Sequence, residues 1–96
     1  RTVATDSARQ LDGAAKELAR LAILAGAEGN IADAIMNADA AVKVDTNSAW
    51  GHYAWAMIAI ERNDFEKARR YVDTALARDP EHTESLALKS TLTVKP

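Results

Sequence analysis

Two histidines, His52 and His82, are the side chains of this sequence whose ordinary pKa lies close to neutral pH, which suits an imidazole to act as a general base or a metal ligand. A metal site on a helix needs a second ligand four residues away on the same face. Those positions hold Ala56 and Leu86, so neither histidine has such a partner. We therefore expect no metal site and no cofactor. We predict that His52 is a half-buried structural side chain and that His82 belongs to a solvated polar cluster.

The other polar residues form no catalytic constellation that the sequence can indicate. The chain has no cysteine, no serine in a recognisable nucleophile elbow and no glycine-rich phosphate loop. Asp39 and Asp73 belong to different segments and form no dyad, and we expect each to face solvent beside a Lys or Arg. The sequence therefore predicts that this chain is not an enzyme and has no catalytic residues.

Composition limits the fold and the partners. The 96 residues suit one domain, and the abundance of Ala, Leu, Glu, Lys and Arg with only four Gly and two Pro predicts an all-α fold. The formal net charge is −2 with the signs interspersed, which does not suit nucleic acid. No apolar run reaches the roughly 18 residues that membrane insertion needs. The absence of cysteine is compatible with both reducing and oxidising compartments.

The first residue is Arg1 rather than Met, and no signal peptide follows it. We therefore expect the sequence to be a piece of a longer protein.

Apolar residues that recur at spacings of three and four predict five amphipathic helices. The connections between them are short, so consecutive helices should pack antiparallel. Gly29 is predicted to have a positive φ, and Asn30 and Asp64 to cap the helices that follow them. The expected bounds are a start near Asp6 or Ser7 for the first helix, about 31–44 for the second, a start at Ala49 for the third, Phe65 to Asp79 for the fourth, and a last helix that frays toward Pro96.

The helical hairpins repeat. When the sequence is aligned with itself at an offset of 34 residues, the segment AEGNIADA at 27–34 falls on ERNDFEKA at 61–68. Small residues recur in register, and we expect them where helices cross closely. A helix-turn-helix unit with a period of about 34 residues is typical of a tetratricopeptide array. The alanines concerned are Ala22, Ala34, Ala41, Ala56, Ala68 and Ala75.

Residues 49–82 resemble a tetratricopeptide repeat. The positions that carry the resemblance are Trp55 and Ala56, Ala59, the turn Asn63, Asp64 and Phe65, then Ala68, Val72, Ala75, Leu76, Asp79 and Pro80. Residues 15–48 resemble a second copy that departs from the pattern at Thr46, where Pro is usual. We predict one domain over 1–96, an α-α superhelix of helical hairpins. It divides into an N-terminal arm and helix start at 1–14, repeats at 15–48 and 49–82, and a capping helix at 83–96.

The resemblance implies that the first helix of each repeat lines a concave face. It implies a non-catalytic protein–protein interaction module that binds a peptide or helix of a partner protein. The groove would have an apolar, aromatic centre, and Ala19 and Gly26 would leave room beside it. The residues implied for this groove are Ile23, Trp50, Tyr53, Met57 and Ile60.

Two other interpretations stay open for the same residues. The N-terminal arm 1–10 or a missing flanking repeat could cover Trp50 and Tyr53. Alternatively, the chain could be a homo-oligomerisation module of a longer protein, because two and a half repeats are fewer than the roughly three that a stable array needs.

Overall fold

The computed structural model describes residues 2–93, and the side chains of residues 7–93. This part of the chain is all-α, which confirms the predicted fold class. The five helices are α1 (Thr2–Ala27), α2 (Ile31–Val44), α3 (Ala49–Glu61), α4 (Phe65–Arg78) and α5 (Thr83–Thr93).

The first helix is longer than expected. It begins at Thr2, so the predicted start near Asp6 or Ser7 is wrong, and residues 2–5 already belong to the helix. Residues 2–10 contain neither Gly nor Pro, so nothing in this stretch breaks a helix. Asp6 and Ser7 can cap a helix start, but they do not interrupt a helix that already begins before them. Arg1 and residues 94–96 lie outside the described part of the chain.

Local side-chain hydrogen bonds define where the helices begin. Asn30 Oδ1 accepts from the backbone N–H of Asp33 at 3.2 Å, and Asp64 Oδ1 accepts from that of Lys67 at 3.1 Å. Gly29, just before Asn30, has a φ of +85°. The two predicted caps and the positive φ are therefore confirmed, and each cap satisfies an N–H that the helix itself leaves unpaired.

The helices form two antiparallel hairpins followed by one more helix. α1 packs on α2, and α3 packs on α4. α3 also lies against both α1 and α2, which joins the hairpins, while α5 packs mainly on α4. A first core cluster fills the space between the hairpins and includes Ala54 and Ile58 of α3. A second cluster lies between α3, α4 and α5 and includes Val72 and Leu92.

Alanine builds most of this core. The six alanines predicted at helix contacts are all fully buried, which confirms their assignment. Because alanine has a short side chain, it lets two helix backbones approach closely and leaves little room for larger groups. Larger, partly buried side chains such as Trp50, Trp55 and Tyr71 pack against the margins of this alanine core.

Candidate functional site

The start of α3 is fixed to α1 through a serine. The Ser48 hydroxyl accepts from the backbone N–H of Trp50 at 3.1 Å, which caps α3. The same hydroxyl donates to Asp12 Oδ1 at 2.6 Å. Because Asp12 belongs to α1, this bond sets the first turn of α3, and with it the Trp50 side chain, relative to the first hairpin.

Trp50 lies in a cluster of rings that joins α3 to the start of α5. The Trp50 and Tyr53 ring centroids are 5.9 Å apart in an edge-to-face arrangement. The His82 ring is also edge-on, with centroids 4.3 Å from Trp50 and 5.6 Å from Tyr53. Lys16 Nζ lies 5.2 Å from the centroid of the Trp50 ring, within cation–π distance. We call Trp50, Tyr53 and His82 the aromatic cluster.

The aromatic cluster is held in place and remains partly accessible. Trp50 and Tyr53 are half-buried, and burial, reinforced by Glu84, raises the pKa of Tyr53. Lys16 lies over Trp50, and His82 lies against both rings, whereas residues 7–10 are exposed. The partial cover of these two rings therefore includes contacts from both ends of the array.

The other three predicted groove residues lie further along the helices. Ile23 and Met57 line one shallow hollow, with Gly26 and Glu61 at its edges. Ile60 packs against the second core cluster. Ile23, Met57 and Ile60 are all half-buried.

Two small residues that were expected beside the groove are inside the protein. Ala19 is fully buried in the first core cluster, and Gly26 is buried with Ala34 nearby. The expectation that both leave open room is wrong. The small side chain of Ala19 instead lets α1 pack closely against its neighbours. At Gly26 a Cβ would still fit in ordinary contact, 3.7 Å from the Ala34 Cβ.

The histidines differ from each other in their surroundings. His52 is half-buried as predicted, and burial followed by the positive charge of Arg78 lowers its pKa. His82 is only 6% exposed, so its assignment to a solvated cluster is wrong. Its Nδ1 accepts from the backbone N–H of Ser85 at 3.3 Å, which makes it the cap of α5. One hint was present in the sequence, since His82 and the capping Ser48 are equivalent positions of the repeat.

The acidic residues behave as surface charges. Asp39 pairs with Lys43 at 2.9 Å and Asp73 with Lys89 at 2.7 Å, and all four side chains are substantially exposed. Among the side chains of residues 7–93, no three from His, Asp or Glu come close enough together to hold a metal ion. Over the same residues, no helix has the length and apolarity to cross a membrane.

Two surface features were not part of the predicted groove. A cavity of about 270 Å³ opens beside Trp55 and Tyr71, whose rings stack with centroids 5.9 Å apart, and Arg62 and Lys67 line its rim. A larger open hollow of about 560 Å³ follows the free side of α1. Leu21 lines this second hollow and is 53% exposed.

Leu24 lies in the same hollow and is 56% exposed. In the repeat alignment, Leu21 and Leu24 correspond to Trp55 and Ile58, which pack into the first core cluster. The repeat therefore presents the same helix face twice, once packed and once open to solvent.

Comparison with protein families gives one match. A family model for the tetratricopeptide repeat matches residues 25–92, which is most of the chain. Neither the curated proteins nor the solved structures give a match.

Proposed function

Because the chain belongs to the tetratricopeptide repeat family, we propose that it is a non-catalytic module that binds a peptide or helix of a partner protein. Repeats of this family generally mediate protein–protein interactions. The site would be an apolar, aromatic groove on the first helices of the two hairpins, α1 and α3. Its residues are Ile23, Trp50, Tyr53, Met57 and Ile60.

The observation that carries this proposal is the stripe of side chains along α3. Trp50, Tyr53, Met57 and Ile60 follow one another at spacings of three, four and three, so they share one face of the helix. All four are half-buried, which means that packing fixes their positions while part of each ring or chain stays open to a partner. Trp and Tyr often supply most of the energy of an interface, and Met adapts its shape to different ligands.

The chemistry of the stripe suggests the kind of partner. Its members are apolar or aromatic, so the complementary surface is the apolar face of a helix or an extended apolar segment. The formal net charge of −2, with interspersed signs, favours protein over nucleic acid as the partner.

Peptides selected against the protein from a random display library test the groove. We expect the selected peptides to bind the wild type and to lose about tenfold or more in affinity, about 1.4 kcal/mol, when Tyr53→Ala and Met57→Ala are combined. Fluorescence anisotropy of a labelled peptide measures the affinity. Circular dichroism checks that the double variant keeps its helices.

A matched control uses a methionine on the outer side of the hairpin. Met36 of α2 is 64% exposed and lies outside the proposed groove, so Met36→Ala should leave the peptide affinity unchanged. The proposal fails if the folded double variant binds the selected peptides as well as the wild type does. It also fails if Met36→Ala weakens binding as strongly as the double variant.

Homo-oligomerisation is the second candidate function, and the open side of α1 supports it. Exposed leucines at 21 and 24 repeat positions that are packed in the second hairpin, so a second copy of the chain could cover them. The charged residues Glu17 and Arg20 border the same hollow and oppose this, because covering them removes both charges from water. We therefore rank partner binding in the groove first.

A further inference from the structure

We propose that His82 is a pH-dependent helix cap, and that its protonation releases the first turn of α5 from Trp50 and Tyr53. The cap itself is independent of any partner. Its consequence for binding rests on the proposed function, since the released turn would uncover two residues of the proposed groove.

The hydrogen bonds of His82 specify its protonation state. Nδ1 accepts from the backbone N–H of Ser85 at 3.3 Å and lies 2.7 Å from the Ser85 hydroxyl, which must then donate to it. The neutral ring therefore carries its proton on Nε2. A protonated imidazole has an N–H on both nitrogens and can accept no hydrogen bond. Protonation thus removes the acceptor of the Ser85 backbone N–H and sets this N–H against the new Nδ1–H of the ring.

The start of α3, at the equivalent position of the preceding repeat, has a cap that does not titrate near neutral pH. Ser48, at the same position of the preceding repeat, caps α3 with its hydroxyl. The caps of α2 and α4 are Asn30 and Asp64. Of the four caps described in the structure, only the one at α5 uses a histidine, so a loss of capping near neutral pH affects α5.

The position of the ring opposes a positive charge. His82 is 6% exposed, and its Nε2 is buried without a hydrogen-bond partner. The nearest carboxylate oxygen is Glu84 Oε1 at 3.7 Å from Nε2, longer than a hydrogen bond. A protonated His82 would therefore be a buried charge whose Nε2–H has no hydrogen-bond acceptor, which is costly.

Charged groups from each neighbouring element act on this ring. Burial is the largest effect and lowers the pKa of His82, while Glu84, Asp79 and Asp12 raise it and Lys16 lowers it. Tyr53 of α3 faces the ring as a neutral phenol, because its own pKa is raised. The net pKa of His82 is below the ordinary histidine value.

The sign of the pH dependence follows from this direction. A group with a lower pKa in the docked state binds its proton more tightly once released. Docking of α5 is therefore fully stable above the ordinary histidine pKa of about 6.5 and weakens as the pH falls from there toward the docked-state value. α5 is suited to respond, because it packs mainly on α4 and is the last helix of the described array.

Fluorescence of Trp50 reports the release directly. In a Trp55→Phe background, Trp50 is the only tryptophan. Between about pH 8 and about pH 5, we expect its emission to shift to the red and its quenching by acrylamide to rise, with a midpoint below about 6.5. His82→Ser, which installs the residue of the equivalent cap, should abolish this transition. His52→Gln should retain it, because His52 does not cap a helix.

Two results would overturn the proposal: a transition that persists in His82→Ser, or one that disappears in His52→Gln. If His82→Ser does not fold, hydrogen exchange of the Ser85 amide in the wild type decides, read by NMR together with the His82 ring signals. We expect protection of Ser85 to fall by up to about tenfold per pH unit between the ordinary histidine pKa of about 6.5 and the lower docked-state value, and to level off below that value. A Ser85 amide that stays protected while the ring titrates would contradict the proposal, as would a ring that does not titrate above about pH 5.

A separate measurement keeps this proposal distinct from the proposed function. The affinity of a selected peptide should increase between about pH 7.5 and about pH 5.5 in the wild type and stay constant in His82→Ser. If Trp50 becomes exposed in acid but no peptide binds the groove, the cap is correct and the groove assignment is wrong. If peptides bind with the same affinity at both pH values while Trp50 stays covered, the groove is correct and the cap proposal is wrong.

Discussion

The backbone of Gly51 passes directly over Val42, so that a Cβ on residue 51 would lie 2.6 Å from Val42 Cγ2 and 2.8 Å from the Val42 backbone nitrogen. Gly51 belongs to α3 and Val42 to α2, so this close contact joins the second hairpin to the first. Cβ atoms in proteins essentially never approach other atoms so closely. The Val42 nitrogen is a backbone atom, so a change of side-chain rotamer cannot move it away.

We expect Gly51→Ala to lower the free energy of unfolding by about 1–3 kcal/mol, because the added methyl group pushes α3 away from α2. Thermal or urea unfolding followed by circular dichroism measures this change. Gly13→Ala is the matched control. Gly13 is an exposed helical glycine whose Cβ would meet nothing within 4 Å, so alanine there should stabilise the protein by about 0.5–1 kcal/mol. A stabilising Gly51→Ala would contradict the described packing.

The features that depend on residues close together in the sequence were predictable from it. The caps at Asn30 and Asp64, the turn at Gly29 and the buried alanines each follow from residue type and helical spacing. Gly51 could not be recognised in this way, because a glycine within a helix lowers helix propensity wherever it lies and only the neighbouring helix shows why it is required.

His82 was missed for a related reason. Histidine is an uncommon cap, and its burial depends on how the connection after α4 returns over α3, which is a long-range contact. The repeat nevertheless contained a signal, since Ser48 and His82 are equivalent positions. For the proposed groove, the shared face of α3 could be read from spacing. The partial cover by Lys16 and His82 could not, because it depends on side chains from other helices.

The two hairpin turns use different residues for the same backbone conformation. Asn63 has a φ of +62° and is the repeat equivalent of Gly29, whose φ is +85°. Asn tolerates this left-handed region and glycine adopts it freely, whereas a Cβ without a compensating hydrogen bond makes it costly. We therefore expect Asn63→Ala to lower the free energy of unfolding by about 1 kcal/mol.

Reciprocal substitutions at the two turns check the equivalence. Asn63→Gly should change the free energy of unfolding by no more than about 0.5 kcal/mol, and Gly29→Asn should be tolerated better than Gly29→Ala. Chemical denaturation of the four variants gives the comparison. Equal stabilities of Asn63→Gly and Asn63→Ala would show that the positive φ is not a constraint at this turn.

Ala68 tests how tightly the second hairpin is packed. Its side chain is fully buried in the cluster that α3, α4 and α5 share. Leucine at this position adds three carbons to a space without room for them, so we expect Ala68→Leu to lower the free energy of unfolding by about 1–3 kcal/mol. Ala77→Leu, on the exposed side of the same helix, should have an effect within about 0.5 kcal/mol. An unchanged melting temperature in Ala68→Leu would count against the repeat register.

The hydrogen bond between Asp12 and Ser48 is expected to couple α1 to the cap of α3. Ser48→Ala removes both this bond and the cap at Trp50, so we expect a loss of about 1–3 kcal/mol. Asp12→Ala removes only the bond between the helices. A double-mutant cycle isolates the shared part, which should be at least about 0.5 kcal/mol. Strict additivity of the two substitutions would mean that the Asp12–Ser48 bond contributes nothing to stability.

The final prediction concerns self-association through the free side of α1. Glu17 occupies the position that Gly51 holds in α3, where even one Cβ is too large for the contact with Val42. A second copy therefore cannot pack a helix on α1 in the way that α2 packs on α3. Covering Leu21 and Leu24 would also bury the side chains of Glu17 and Arg20, which are 71% and 67% exposed. We expect sedimentation equilibrium to show a monomer up to about 100 µM, a range in which an association worth about 6 kcal/mol would be detected. A mass that rises with concentration would contradict this, and dissociation by Leu21→Asp with Leu24→Asp, but not by Tyr53→Ala with Met57→Ala, would then assign the interface to α1.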